Sequence, residues 1–461
     1  MFFRRFEDTG LSHYSYMIGD GGQAAAIDPR LDTAVYLETA QAEEVKITVV
    51  FETHRNEDYL VGSVELADQT GAEVWHADRQ ADYRYGKPAD PGQEWTIGEY
   101  TLRAIDTPGH TPGSVSYLLL TGSGHPYILF SGDTLFAGSA GRTDLINEEK
   151  AAEFAGQLHE SIFSKILPLG EGVIVCPAHG AGSSCGSSIS SREWTTLGIE
   201  KQENPVLQDR DRSNFIKQAG KVHPKPQYFS KMEILNLEGP RIPRDMPRFI
   251  PLSAAETEEK SRTTTVLDIR SETSFGAAHI PGSLFIAESS VASYAGWFMD
   301  PDDPFIIVAD GNPAHTRLTL LRMGFFRGKG YLAGGMHSWF TAGKQSSSIN
   351  MVIVENFCRK IDEGDELWIL DVRSREELES DGEIPGAVNI PIKEFTKRSG
   401  EIPKGKNIHI FCGSGLRSTT AASLLKRQGH ERLSVILGGF SGWNSVRCPI
   451  KGKSKGLAAE I

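Results

Sequence analysis

Residues 268–285 (D-I-R-S-E-T-S-F-G-A-A-H-I-P-G-S-L-F) are rewritten at 371–390 as D-V-R-S-R-E-E-L-E-S-D-G-E-I-P-G-A-V-N-I. Further on, G-G-M-H-S-W at 334–339 returns as G-G-F-S-G-W at 438–443. The offset is 103 residues at the Asp and 104 at the Gly-Gly, so the second half of the chain is a tandem pair of domains. The copies part at one chemical point. The second carries Cys412 in a Gly-rich loop, C-G-S-G-L-R, whereas no cysteine lies between Cys185 and Cys358. One copy can do thiol chemistry and the other cannot.

With 461 residues the chain is too long for one core and points to three domains. No apolar run is long enough for a transmembrane helix. The start M-F-F-R-R-F-E-D lacks the apolar stretch of a secretory signal. A net charge of −12 with no basic block makes nucleic acid and anionic membranes poor partners. Five unevenly spaced cysteines do not make a disulfide framework, and a cytoplasmic, reducing compartment is expected.

The first half holds short β-branched runs broken by Gly, Pro and Asp, read as strands at 24–27, 47–51, 115–120, 127–130 and 173–176. Residues 151–169 read as a helix, 193–226 as a polar segment and 224–248, rich in Pro and Arg, as a connector. In the second repeat, strands at 367–372, 407–411 and 435–437 alternate with helices at 376–380 and 418–428. Such alternation in about 100 residues implies a small α/β fold with a mainly parallel sheet.

The strand–loop–helix order around Cys412 suits a reactive sulfur. Gly413 and Gly415, flanking Ser414 and preceding Leu416, let backbone N–H groups turn inward towards the thiol. These N–H groups, the positive end of the following helix and the charge of Arg417 favour a thiolate or persulfide anion. A buried structural cysteine is the usual reading of an isolated Cys; Cys176, Cys358 and Cys448 lack such a loop and are taken as structural. The D-V-R opening, the I-P-G-A turn, C-x-x-G-x-R and G-G-x-x-x-W resemble the rhodanese (sulfurtransferase) family. The resemblance makes Cys412 the sulfane-sulfur carrier, with Arg417 closing the loop. The first copy, with Ala309 or Asp310 at the cysteine position, looks like an inactive spacer or docking domain.

In the first half, His54, His110, Asp133 and His179 each follow an apolar run or a Pro-Gly turn, where side chains converge at a sheet edge. A lone histidine there is usually a satisfied core or surface group; four in similar settings favour a metal site. T-P-G-H-T-P-G-S and G-D-T-L-F resemble the metallo-β-lactamase fold. The family's H-x-H-x-D-H motif is broken here: His54 and Asp58 remain, but Asn56 and Tyr59 replace two histidines. That weakens a two-zinc hydrolase. His54, His110 and Asp133 form a facial triad that suits one Fe(II) per chain and leaves three open positions. This resembles the persulfide dioxygenases, whose G-R-T-D recurs at 141–144. The resemblance implies Arg142 as a holder of the substrate's carboxylate. It also implies Asp58, Tyr59, Asn56 and His179 as outer groups orienting the ligands. Cys185, in G-S-S-C-G shortly after His179, is read as a pocket-lining thiol, with a plain structural cysteine as the alternative.

The expected architecture is therefore α/β and multi-domain. An αββα metallo-β-lactamase-like dioxygenase domain covers 1–235, including a connector from about 206. An inactive rhodanese-like domain covers 236–348 and a catalytic one 349–461. The expected substrates are a persulfide of glutathione or another low-molecular-weight thiol, O2, and sulfite or thiosulfate. Such domains commonly form homo-oligomers. Two rivals are a dinuclear zinc hydrolase similar to glyoxalase II, which would hold two zinc ions, and a non-catalytic persulfide sensor or carrier, which would show no turnover.

Overall fold

The computed structural model describes residues 1–186, 188–363, 367–446 and 448, so the end of the third expected domain, 449–461, lies outside the described residues. The chain divides into two compact units. One comprises Met1–Asp245 with the short segment Leu321–Gly324, the other Met246–Leu320 and the chain from Phe325 onwards. Among the described residues no helix is long and apolar enough to cross a membrane.

The N-terminal unit is built on two six-stranded sheets. The first follows chain order: Phe2–Asp8, His13–Asp20, Gln23–Ile27, Lys46–Phe51, Glu73–His76 and Lys87–Pro88. Its first three strands pair antiparallel and the rest parallel, with helices Ala34–Ala42 and Ser63–Thr70 making the crossovers that parallel pairing requires. The second sheet orders Thr195–Thr196, Ile174–Pro177, Pro126–Gly132, Val115–Leu120, Tyr100–Asp106 and Glu94–Ile97.

Val115–Leu120 shows why this becomes a four-layer sandwich. All its side chains are buried. Val115, Tyr117 and Leu119 enter the inter-sheet core with Ile27 and Phe51. Leu118 and Leu120 point the other way, onto Leu158 and Ile162 of the helical stretch after Ala151. Apolar residues on both faces, rather than on one alone, require cover on both sides. Each such leucine contributes about 1.5–3 kcal/mol of burial. The architecture is αββα, as expected.

Two segments depart from the sequence reading. The polar stretch after Glu193 folds into helices Leu197–Glu203, Pro205–Gln208 and Arg212–Ala219. The supposed connector contains the helix Tyr228–Glu238. Its Tyr228 hydroxyl donates to the Asp58 carbonyl at 3.0 Å. Its Asn236 amide donates to the carbonyls of Asn56 and Tyr59, both at 2.8 Å. Prolines and charges flanking this helix give it a linker's composition, but its polar groups brace the chain between His54 and Leu60.

The C-terminal unit holds two five-stranded sheets in which every pair is parallel. The first orders Ile250–Leu252, Gly328–Leu332, Phe305–Val308, Thr265–Asp268 and Leu284–Phe285; the second orders Asn350–Ile353, Leu433–Leu437, Ile408–Phe411, Trp368–Asp371 and Val388–Asn389. The repeated D-x-R is one device built twice. Asp268 is gripped by the Arg270 guanidinium, which also reaches the Ala278 carbonyl. Asp371 and Arg373 do the same, with the Gly382 carbonyl. The repeats share a core: Phe275 and Phe285 pack with Ile410 and Ala421. The cysteine reading needs one correction. Cys358 and Cys448, 90 residues apart, are joined as a disulfide, because the chain after the last helix returns to the helix Val354–Asp362.

Candidate metal centre and thiol site

Past the strand Lys46–Phe51, every residue from Glu52 to Leu60 except Arg55 is buried, although the segment is loop. Buried polar groups must find partners, and those partners fix the tautomer of His54. Thr53 gives its hydroxyl proton to Asp28 Oδ2 at 2.8 Å, so its oxygen accepts from His54 Nδ1 at 2.9 Å. The lone pair of His54 therefore sits on Nε2. His110 is oriented alike: Nδ1 donates to the Arg142 carbonyl at 2.8 Å. Both Nε2 atoms face Asp133 Oδ2, at 3.7 Å from His54 and 3.4 Å from His110. Neither has a hydrogen-bond partner. Two lone pairs and a carboxylate converging in a buried space are what a divalent cation needs, so these residues fit a metal.

The electrostatics show the acids drawing positive charge towards the centre. Burial drives His54 down to about 3, against the pull of Asp133. Burial would lower His110 too, but Glu57 and Asp133 outweigh it and raise it to about 9. Burial opposes the charge on Asp133, yet His179, His54 and His110 hold it well below the usual carboxylate range.

His179 plays a different part. Its Nδ1 lies 2.8 Å from Asp133 Oδ1, and its Nε2 lies 3.1 Å from Asp58 Oδ2. Burial lowers its pKa, but the two carboxylates dominate and raise it well above the ordinary value. Its Nε2, like those of His54 and His110, has no hydrogen-bond partner. Asp58, His179 and Cys185 do place donor atoms within 4.8 Å of one another.

The other expected residues fall as follows. Asn56 is buried, its amide 3.4 Å from the His54 carbonyl. Tyr59 is buried, with its ring 3.9 Å from that of His13. Cys185 is buried with His110 and Asp133 inside the same 4.8 Å range, and burial pushes its thiol up. Arg142 is not free for a substrate carboxylate. Its guanidinium forks Asp144 at 2.7 Å and 2.7 Å and donates to the His223 carbonyl. What Arg142 gives the centre is its backbone carbonyl, beneath His110. Gly141 beside it has no room for a side chain, since a Cβ would lie 2.0 Å from the Asp133 carbonyl.

Two site residues escape a sequence reading. His13 lies far upstream, yet it forms an antiparallel bridge with His179. Glu57 occupies a position that the motif treats as a spacer. Its side chain is fully buried, with Oε2 3.6 Å from His110 Nε2. A charged residue amid buried neighbours was the one available signal.

In the C-terminal unit, Cys412 follows the strand Ile408–Phe411, fully buried, and the helix Leu416–Arg427 begins four residues later. Among the described residues, the N–H reaching Sγ is that of Gly415, at 3.1 Å. Arg417 faces Glu377 rather than the sulfur, with two hydrogen bonds of 2.6 Å. The G-G-F-S-G-W segment holds the loop from below. Phe440 N donates to Cys412 O at 2.8 Å, Ser441 N to Gly413 O at 3.1 Å and Gly438 N to Ser414 O at 3.0 Å. Gly439, at φ +46°, lies so close that a Cβ would be 2.3 Å from the Cys412 carbonyl. In the first repeat the same contact runs from Gly335 to the Ala309 carbonyl. Ala309, not Asp310, therefore stands in the cysteine's place.

Comparison with known proteins divides the chain the same way. The metallo-beta-lactamase superfamily matches residues 8–179, and the rhodanese-like domain matches 253–342 and 354–446. A solved metallo-beta-lactamase from Staphylococcus aureus subsp. aureus COL superposes with a TM-score of 0.63 at 30% identity, over 72% of this chain and 98% of that one. The chain belongs to the metallo-beta-lactamase superfamily. It is a member fused to tandem rhodanese-like domains. YrkF of Bacillus subtilis, named for sulfur carriage, is 40% identical over 24% of this chain, which spans 57% of that protein. The hydroxyacylglutathione hydrolase GloC of Haemophilus influenzae is 24% identical over 41% of this chain and 90% of its own length. The mitochondrial persulfide dioxygenase ETHE1 of Bos taurus is 29% identical over 46% of this chain and 79% of its own.

Proposed function

We propose that this superfamily member is a persulfide dioxygenase joined to a sulfurtransferase, with one Fe(II) held by His54, His110 and Asp133. The observation that carries the reading is the convergence of the unpartnered Nε2 atoms of His54 and His110 on Asp133, in a chain where Asn56 and Tyr59 stand in place of two histidines of the two-metal motif. The persulfide dioxygenase and rhodanese-like relatives support it. Bound iron supplies redox and oxygen chemistry for the overall conversion R–S–SH + O2 + H2O → R–SH + SO3²⁻ + 2H⁺.

The chain's own groups prepare that conversion. Thr53 and the Arg142 carbonyl aim both imidazoles. His179 keeps Asp133 ionised. Cys185, kept as a thiol by burial, walls the space beside His110 and Asp133. In the C-terminal unit the Gly415 N–H faces Sγ, and the backbone bonds from Gly438, Phe440 and Ser441 hold the loop rigid. A persulfide on Cys412 can then pass its outer sulfur to sulfite: Cys–S–S⁻ + SO3²⁻ → Cys–S⁻ + S2O3²⁻. The reverse direction would draw on thiosulfate.

The test combines elemental analysis of purified protein with oxygen consumption on glutathione persulfide. One iron per chain with oxygen uptake supports the reading. A second reading, a thioester hydrolase, rests on the hydroxyacylglutathione hydrolase relatives and on the donors of Asp58, His179 and Cys185. Two zinc ions per chain and thioester cleavage would replace the first reading with this one.

A further inference from the structure

Glu57 is an acid of this centre that the facial triad leaves unused. Its side chain is 0% exposed, and neither oxygen has a hydrogen-bond partner. The adjacent cation does not serve it, because Arg55 pairs with Glu233 at 3.3 Å. Its nearest charged neighbour is His110 Nε2 at 3.6 Å, on a ring whose Nδ1 proton already goes to the Arg142 carbonyl. An ionised carboxylate in such a place is among the costliest groups a protein can bury, unless it meets a cation.

The positions of its neighbours say where that cation belongs. The ligand atoms of His54, Glu57 and His110 all lie within 4.8 Å of one another. The separations from His110 Nε2 to Glu57 and to Asp133 are nearly equal, 3.6 Å and 3.4 Å. Donors about 2.1 Å from a common ion stand roughly 3.0–3.4 Å apart for octahedral or tetrahedral angles. We infer that Glu57 is a fourth donor, so that the centre is a two-histidine, two-carboxylate site rather than a facial triad. The inference rests on the one-metal reading above.

Two consequences follow from the chemistry of the set. Two carboxylates cancel the charge of a divalent ion in a buried space. Four protein donors also leave two positions of an octahedron, enough for a sulfur and a dioxygen side by side and for no additional water. The oxygen-rich set favours Fe(II) and Mn(II) over thiophilic ions.

The experiment measures Fe(II) affinity of the full-length apoprotein by chelator competition, for wild type, Glu57→Gln and Glu57→Asp, with the thermal midpoint of each apoprotein as a folding control. Both variants are expected to bind iron at least about 10-fold more weakly, while the Glu57→Gln apoprotein melts no lower than wild type. X-ray absorption of the iron-loaded proteins should show one fewer light-atom neighbour from protein in the variants. Wild-type affinity in Glu57→Gln would overturn the inference and leave the one-iron reading intact. Wild-type affinity in Glu57→Asp alone would also overturn it, since charge without reach would then suffice. Two metal equivalents, or none, in the wild type would remove the underlying reading as well.

Discussion

Individual side chains here are governed by where single protons go. Thr53 is no ligand, yet its hydroxyl decides which nitrogen of His54 is bare. Thr53→Val keeps shape and loses that control. Iron affinity is expected to fall about 10–100-fold, read by chelator competition, with no ligand removed. His279, in the C-terminal unit, offers a pH test. It is buried, stacked on Phe275 at 4.0 Å, and donates Nδ1 to the Phe275 carbonyl. Burial lowers its pKa from 6.5 to about 4. Between those values the unfolded chain binds the extra proton, so its contribution is intact above pH 6.5 and is lost as pH falls through 4. The loss is at most about 3 kcal/mol. Urea midpoints of wild type should drop over this window more than those of His279→Gln; parallel pH profiles would refute the assignment. Much at this scale was legible: His54, His110 and Asp133 stand in recognisable strings at strand ends. Glu57 and His13 were not, because one fills a spacer position and the other is brought in by an early hairpin that no local pattern links to His179.

Elements act by holding loops to a fraction of an ångström. The Gly-Gly turn after the strand Leu433–Leu437 is wedged under the thiol loop, and its counterpart under the Ala309 loop. Gly439→Ala is expected to push the Cys412 carbonyl away and cut sulfur transfer by about 100-fold. Gly335→Ala, where a Cβ would lie 2.8 Å from the Ala309 carbonyl, should lower the melting point and leave sulfur transfer unchanged. Equal transfer rates in the two variants would show that the wedge does not control the thiol. The repeat made this turn readable, since two copies of one spacing reveal which letters are structural. The helix Tyr228–Glu238 was hidden for the opposite reason. Its flanks are rich in proline and charge, and what it contributes is Asn236, a hydrogen-bonding residue, which leaves no apolar periodicity to find.

At the level of the whole chain, the two proposed chemistries would be carried by residues in separate units. His54→Ala is expected to abolish oxygen uptake with persulfide while sulfur transfer persists; Cys412→Ser should do the reverse. Loss of both activities in either variant would mean that the sites are not independent. The fold class and the order of domains could be read from motifs, because both halves are built from strands that end in diagnostic loops. The Cys358–Cys448 link could not, since a bridge across 90 residues leaves no trace in spacing. The convergence of His54, His110 and Asp133 has a last consequence, for metal supply. On the proposed one-iron reading each polypeptide draws a single atom from the cell, and withdrawal of that atom should silence oxygen consumption in one step, with no half-loaded form along the way.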